Sequence, residues 1–181
     1  MSVESISDVL TVYHGTTSLF DVIDVTKGKP YKDFGRGFYI TENYIHAQSL
    51  AIRNKRLEQE RYGRDSSAYV YTFSLDMEKV REFKILEFSV ADLEWMRFVL
   101  ANRNVRDRSH DYDIVTGPTA DDDTSLVLKS YFGGLYGDVE SEQALRLALD
   151  MIESEKLPAQ IYFGSNDATQ CLTQKGTVKR I

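Results

Sequence analysis

The sequence predicts a single α+β domain that spans residues 1–181. Short runs with alternating polarity, such as residues 68–73, predict strands with one packed face. Longer segments with apolar residues three or four positions apart predict amphipathic helices between those strands. With 42% hydrophobic and 28% charged residues, the chain has the composition of a soluble globular protein with a substantial core.

Net charge and cysteine content indicate which kinds of partner and cellular compartment fit this chain. The formal net charge of −6 argues against a surface built for broad binding to nucleic acid. Basic residues do cluster at 53–64 and 103–108, and either a local basic groove or ordinary solvated faces fits them. The single cysteine, Cys171, excludes an internal disulfide framework and fits a buried position in a reducing compartment. Residues 2–8 are polar rather than signal-like, and no apolar run reaches the ~18 residues of a membrane span, so we expect a cytoplasmic protein with no membrane partner.

The first half of the chain alternates between strands and helices. Residues 10–13 and 38–41 have the aromatic and β-branched composition of short strands. Residues 43–62 carry an apolar stripe opposite charged positions, so they predict a helix with Thr41 or Asn43 as its N-cap. A strand at 68–73 and a shorter one at 84–88 follow, and Ser89 is predicted to cap a helix through residues 93–100.

The second half continues this pattern. Residues 102–111 form a charged loop that we expect to face a substrate, and residues 112–116 form a buried-type strand. The carboxylates of residues 121–123 suit the positive end of a helix that runs to about residue 132. A further helix over residues 140–153, a strand at 157–164, a short helix at 166–173 and a basic tail complete the prediction.

Two segments carry the chemistry. In the first, at residues 13–17, a β-type run is followed by His14 and Gly15, a polar ring beside a glycine that lets a flat ligand approach the backbone. In the second, at residues 34–41, Arg36 stands between Gly35 and Gly37 ahead of an aromatic strand. Such a loop can bring backbone N–H groups and a guanidinium to an anionic ligand. Each of these residues taken alone also fits an ordinary core or turn position, and only their combination favours a site.

Together, the two segments resemble the first two signature segments of the ADP-ribosyltransferases of the poly-ADP-ribose polymerase and diphtheria-toxin branch. They are most similar to a bacterial, toxin-like family of that superfamily. The resemblance implies a split core of two packed, mainly antiparallel sheets around an NAD cleft. It implies that His14 holds a ribose hydroxyl, that the Gly15 backbone binds the nicotinamide amide, and that Tyr39 stacks on the nicotinamide ring. A second stacking tyrosine is not expected, because Tyr44 comes too early in the chain.

The same residues fit NAD on chemical grounds. A dinucleotide needs an aromatic face, partners for its hydroxyls and cationic or N–H groups for its pyrophosphate. Tyr39 offers the face and His14 a ring nitrogen. Candidates for the remaining contacts lie in the two motif segments: Thr16, Gly35, Arg36 and Gly37. No metal is expected, since His14, His46 and His110 show no metal-ligand spacing with residues 121–123.

The third signature position of the superfamily resembles Gln160, where a glutamate is usual. Glutamine can orient a ribose hydroxyl, but it cannot remove a proton from an acceptor. The set of His14, Tyr39 and Gln160 as catalytic residues therefore predicts mono-ADP-ribosyl transfer, a weak enzyme, or binding without turnover. Asp121 is the first candidate for a compensating carboxylate, ahead of Glu153 and Glu155 on the preceding helix. The resemblance to the bacterial family implies that Asp121 lies near the cleft and the bound NAD.

Three functions remain open from the sequence. The leading one is a mono-ADP-ribosyltransferase, such as a toxin with a partner antitoxin, that uses NAD and an unknown protein or nucleic-acid acceptor. The second is a catalytically silent module that binds NAD or ADP-ribose. The third is an RNA 2'-phosphotransferase-like enzyme, which shares a histidine-glycine-threonine segment but fits the loop at residues 34–41 poorly.

Overall fold

The fold, taken from a computed structural model, is described for residues 9–181, apart from the side chains of Asp122 and Ser154; the polar segment 2–8 lies outside this range. The described residues form eight strands: β1 (Val9–Thr16), β2 (Phe38–Ile40), β3 (Tyr69–Asp76), β4 (Ile85–Glu87), β5 (Ile114–Pro118), β6 (Ala159–Phe163), β7 (Leu172–Gln174) and β8 (Lys179–Arg180). They also form five α-helices: α1 (Tyr44–Tyr62), α2 (Met77–Val80), α3 (Leu93–Arg103), α4 (Asp122–Phe132) and α5 (Glu142–Asp150).

The strands form two sheets. In the first sheet β3 is central, with β1 along one edge and β7 and β8 along the other, all antiparallel. The second sheet has the order β2-β6-β5-β4, and only its β4–β5 pair is parallel. The predicted α+β class with two mainly antiparallel sheets is confirmed.

The core has two parts, one on each face of the second sheet. An apolar cluster between the two sheets joins Val12 and Tyr71 of the first sheet to Ile40 and Phe163 of the second. On the outer face of the second sheet, Tyr162 packs into a separate cluster with side chains of α3, α4 and α5: Trp95, Leu128 and Leu145. Helix α1 covers the remaining face of the first sheet, where it contacts β1 and β3. The layers therefore run helix, sheet, sheet, helices.

Most predicted elements are present, and their ends give the corrections. Asn43 caps α1, because its side chain accepts a hydrogen bond from the His46 N–H. Ser89 is not the cap of α3; Asp92 is, because the Phe88 N–H still bonds to the strand residue Thr116 and holds the chain extended.

The C-terminal third departs further from the prediction. Helix α5 ends at Asp150, so Glu153 lies beyond it and Glu155 lies in the 3-10 turn Ser154–Lys156. The predicted short helix is a single 3-10 turn, Ala168–Cys171, which does bury Cys171. The predicted basic tail pairs with β3 as β8. None of the described helices is both long and apolar enough to cross a bilayer.

Candidate functional site

The two sheets meet where β1 passes β2. The N–H of Tyr13 donates to the carbonyl of Thr41 at 2.8 Å, and the N–H of Thr41 donates back at 2.9 Å. Strand β6 pairs with β2 on its other side. The three segments that the sequence singled out therefore lie on three adjacent strands, β1, β2 and β6, although they are far apart in the chain.

His14 is half-buried among aromatic rings at this junction. Its ring centroid lies 4.3 Å from that of Phe38, and Nδ1 lies 2.7 Å from the carbonyl oxygen of Tyr39. Because a carbonyl only accepts hydrogen bonds, Nδ1 carries the proton and Nε2 has the free lone pair. Burial lowers the pKa of His14 to about 4, and the bond to Tyr39 offsets only part of this effect. His14 is therefore a neutral ring with a fixed tautomer at pH 7.

The backbone of Gly15 is open toward the second sheet. Backbone groups alternate in direction along a strand, and those of Tyr13 point away from β3 to Thr41, so the N–H and C=O of Gly15 also point away from β3. On its face toward α1, a Cβ at Gly15 would lie 1.8 Å from the Ala47 carbonyl oxygen. Glycine is thus required for the close approach of α1. Next in the strand, Thr16 Oγ1 accepts a bond from the Ser18 N–H and begins a turn.

The side chain of Tyr39 lies on the outer face of the second sheet. Its ring centroid is 5.1 Å from that of Tyr162. Its hydroxyl donates to the Gly35 carbonyl at 2.7 Å and accepts from the Phe34 N–H at 3.1 Å. Burial raises the pKa of Tyr39 well above its usual value. The predicted cleft residue is therefore half-buried, and its hydroxyl orders the loop that precedes it.

The glycine loop itself, residues 34–37, is held from several sides. Gly35 has a φ of +93°, which favours glycine, and a Cβ at Gly37 would lie 2.2 Å from the Tyr162 ring. The Arg36 N–H donates to the Asp107 carbonyl, and the Arg36 carbonyl accepts from the Tyr162 hydroxyl. Within the described part of the chain, the buried Nε of Arg36 has no hydrogen-bond partner. A buried donor without a partner is uncommon, so this atom suits an anionic ligand.

The charged loop expected to face a substrate packs against the glycine loop, but Asn102 and Arg103, which were predicted to belong to it, lie in the last turn of α3. Nη1 of Arg108 donates to the carbonyl of Gly164 at 2.9 Å. The Cβ of Arg108 packs so close to Gly35 that a Cβ at Gly35 would lie 2.6 Å from it. Nε2 of His110 donates to the carbonyl of Phe34 at 2.9 Å. Burial lowers the pKa of His110, so it is a neutral structural ring here.

Sequence reasoning missed the residue that fastens the glycine loop to the helices. Asp33 forms an ion pair with Arg103 at 2.6 Å and accepts the Ala120 N–H at 2.8 Å. Its side chain is only 8% exposed, and that of Arg103 is 19% exposed. Its position directly before the loop was the available signal, but nothing in the sequence marked a partner 70 residues away.

Gln160 lies near the end of β6 and contacts α1 rather than β1. Its Nε2 lies 3.4 Å from Nε2 of His46, in the first turn of α1. Alternation along β6 places Gln160 on the same face as Tyr162, whereas the His14 ring lies between the sheets. His14, Tyr39 and Gln160 thus lie on neighbouring strands, but the His14 ring is on the opposite face of the second sheet from Tyr39 and Gln160. Burial lowers the pKa of His46.

Asp121 caps α4. Its side chain is exposed and accepts the Thr124 N–H at 2.8 Å, as expected of a carboxylate at the start of a helix. Pro118 pairs with Ala159, so Asp121 follows β5 at the end of the sheet where Gln160 lies. It is a neighbour of the candidate site whose carboxylate already serves the helix.

Two cavities lie away from these residues. One of about 520 Å³ is lined by α3, α5 and the end of α4, and one of about 490 Å³ by Lys29 and the C-terminal turns of α1. Within residues 9–181, no three His, Cys, Asp or Glu side chains are grouped so as to hold a metal ion. The candidate residues at the junction of the sheets line neither of these two cavities.

One family model matches most of the chain. It covers residues 10–174 and is described as a protein of unknown function, DUF3990. No curated protein and no solved structure matches the chain.

Proposed function

The chain belongs to the DUF3990 family, whose function is unknown, and we propose that it is an NAD-dependent mono-ADP-ribosyltransferase. The observation that carries this proposal is the bond from Nδ1 of His14 to the carbonyl of Tyr39 at 2.7 Å. It joins two motifs that lie 25 residues apart and leaves Nε2 of a neutral imidazole free to accept a hydrogen bond from a hydroxyl.

The surrounding groups match the parts of NAD in chemical type. The backbone N–H and C=O of Gly15 point toward the junction and complement a carboxamide, which needs one acceptor and one donor. The unpartnered Nε of Arg36 suits a pyrophosphate. Gln160 can hold a hydroxyl of the nicotinamide ribose. In the reaction, the bond from C1′ of that ribose to nicotinamide breaks, and an acceptor nucleophile bonds to C1′.

Incubation with adenine-labelled NAD and a bacterial extract tests the proposal. Products are separated into protein, nucleic acid and free ADP-ribose, and His14→Ala is compared with Thr11→Ala, an exposed position on the same strand. Transfer by the wild type and by Thr11→Ala, lost in His14→Ala, is the expected result. Equal transfer by all three proteins would refute the assigned role of His14.

A second candidate is a silent NAD or ADP-ribose binding module, and the neutral amide of Gln160 favours it. Calorimetric binding of NAD without transfer or hydrolysis would select it over the enzyme. An RNA phosphotransferase would instead remove a phosphate from labelled RNA. Absence of NAD binding would refute both the transferase and the NAD-binding module.

A further inference from the structure

The contact between His46 and Gln160 joins elements that are 114 residues apart. His46 is the third residue of α1, just inside the Asn43 cap. Because the backbone of Ala47 lies directly against Gly15, the first turn of α1 is fixed relative to β1. The imidazole of His46 is thereby held at the end of β6 that carries Gln160.

Transfer to an O–H or N–H acceptor releases a proton that some group must take. The Gln160 amide has no basic atom for it at neutral pH. Asp121 is engaged as the cap of α4, and Glu153 is exposed beyond the end of α5. The group that touches Gln160 and can accept a proton is the ring of His46.

We propose that His46 is the general base of this reaction and that the acceptor presents a neutral O–H or N–H group. This inference rests on the proposed function. As the C1′–nicotinamide bond breaks, its electron pair leaves with the nicotinamide nitrogen. The acceptor oxygen or nitrogen bonds to C1′, and its proton moves to Nε2 of His46, which later releases it to solvent. An acceptor that is already anionic, such as a terminal phosphate or a carboxylate, would need no such base.

The hydrogen-bond geometry fits this role. The amide nitrogen of Gln160 can only donate, so Nε2 of His46 accepts and Nδ1 carries the proton. At 3.4 Å the contact is longer than an ordinary hydrogen bond. When Gln160 turns to a ribose hydroxyl, Nε2 is released to face the acceptor.

The charge state of the neighbourhood also fits. Burial lowers the pKa of His46 from its ordinary value of 6.5, so the ring is unprotonated at pH 7. Gln160 of β6 and the capping Asn43 are uncharged. The titratable groups of the neighbouring elements are Glu42 before the Asn43 cap, Tyr44 of α1 with Lys179 of β8 over its ring, and Asp121 before α4. His14 of β1 has a pKa of about 4, and the pKa of Tyr39 of β2 is raised. The two histidines can therefore be told apart only by variants.

The test compares wild type, His46→Gln and the double variant His46→Gln with Gln160→Glu, with exposed Gln59→Ala of α1 as the matched control. NAD binding is measured by calorimetry, and transfer is measured from pH 4.5 to 8.5. We expect His46→Gln to keep NAD affinity within about threefold while kcat for transfer falls about 100-fold or more, the usual contribution of a general base. The acid limb of the wild-type profile, below pH 6.5, should disappear in this variant. The double variant should regain part of the rate, with its limb moved toward the pKa of a carboxylate, about 4.3.

Different failures have different meanings. A wild type that transfers nothing overturns the proposed function and this inference together. A wild type that transfers, beside a His46→Gln variant with unchanged kcat and the same acid limb, overturns this inference alone. So does an acceptor identified as a terminal phosphate or carboxylate.

Discussion

Replacing Asp33 by asparagine should destabilise the whole domain through one buried ion pair. The Asp33 carboxylate lies 2.6 Å from Nε of Arg103, and neither side chain is more than one-fifth exposed. Removing the negative charge leaves a mostly buried guanidinium without its counterion. Breaking such a pair costs about 3–5 kcal/mol, and we expect the lower end, about 3 kcal/mol, because Arg103 keeps some exposure and a contact to Ser125.

The free energy of unfolding is measured by urea denaturation, followed by circular dichroism. For a domain of this size, a loss of about 3 kcal/mol corresponds to a fall in Tm of roughly 6–12 °C. The matched control is Glu142→Gln, which removes the exposed pairs with Arg146 and Arg97 and should cost less than about 1 kcal/mol.

A double variant separates the charge effect from a packing effect. Adding Arg103→Met to Asp33→Asn removes the unpaired charge and should recover part of the lost stability. If Asp33→Asn costs no more than Glu142→Gln, or if Arg103→Met makes it worse by its full single-variant cost, the pair does not hold the loop as argued.

Three further outcomes are expected. The pKa of His14 is about 4 in the folded protein and near 6.5 in the unfolded chain, so the unfolded chain binds a proton first and up to about 3 kcal/mol of stability should be lost as pH falls from 6.5 through 4. Urea midpoints measured across this pH range should fall less in His14→Gln than in the wild type. Equal falls in the two proteins would contradict the assignment. Gly37→Ala should leave little soluble protein, because the added methyl would clash with the Tyr162 ring of β6. Gly133→Ala, where the nearest atoms are 3.5 Å from the added methyl, should change stability by less than about 1 kcal/mol. Equal solubility of the two variants would refute the steric argument. Trp95→Phe should cost about 1–3 kcal/mol by chemical denaturation because the Pro118 carbonyl loses the indole donor at 2.7 Å, and an unchanged midpoint would show that this bond contributes nothing.

The sequence predicted the elements whose signals are local. The apolar stripe and the Asn43 cap predicted α1 to within a residue. Alternation predicted β3, and the apolar run after Pro158 predicted β6. The start of α3 was predicted too early, because a cross-strand bond from Phe88 to Thr116 outweighs the capping tendency of Ser89. The short strands β7 and β8 carry too few residues for a periodic pattern and are defined by pairing with β3.

The residues of the candidate site likewise fall into those marked by a local motif and those that are not. The motif glycines and His14 were recognisable because their spacing is short and unusual. Asp33–Arg103 and His46–Gln160 were not predicted, because each pair joins residues 70 or more positions apart. Such pairs depend on the final strand order, which local patterns do not encode.

The pairing of late strands onto early ones also determines when the domain can fold during synthesis. Strand β6 is internal to the second sheet, and β7 and β8 complete one edge of the first, where the N–H of Ile181 still donates to Ala68. A nascent chain that has emerged only through α5 lacks β6, β7 and β8, so β2 and β5 each lack one partner strand and one edge of β3 is unpaired. Long-range pairing of this kind is slow and leaves strand edges open to aggregation. We therefore expect the junction of the sheets that contains His14 to form late, after residues 159–181 have left the ribosome.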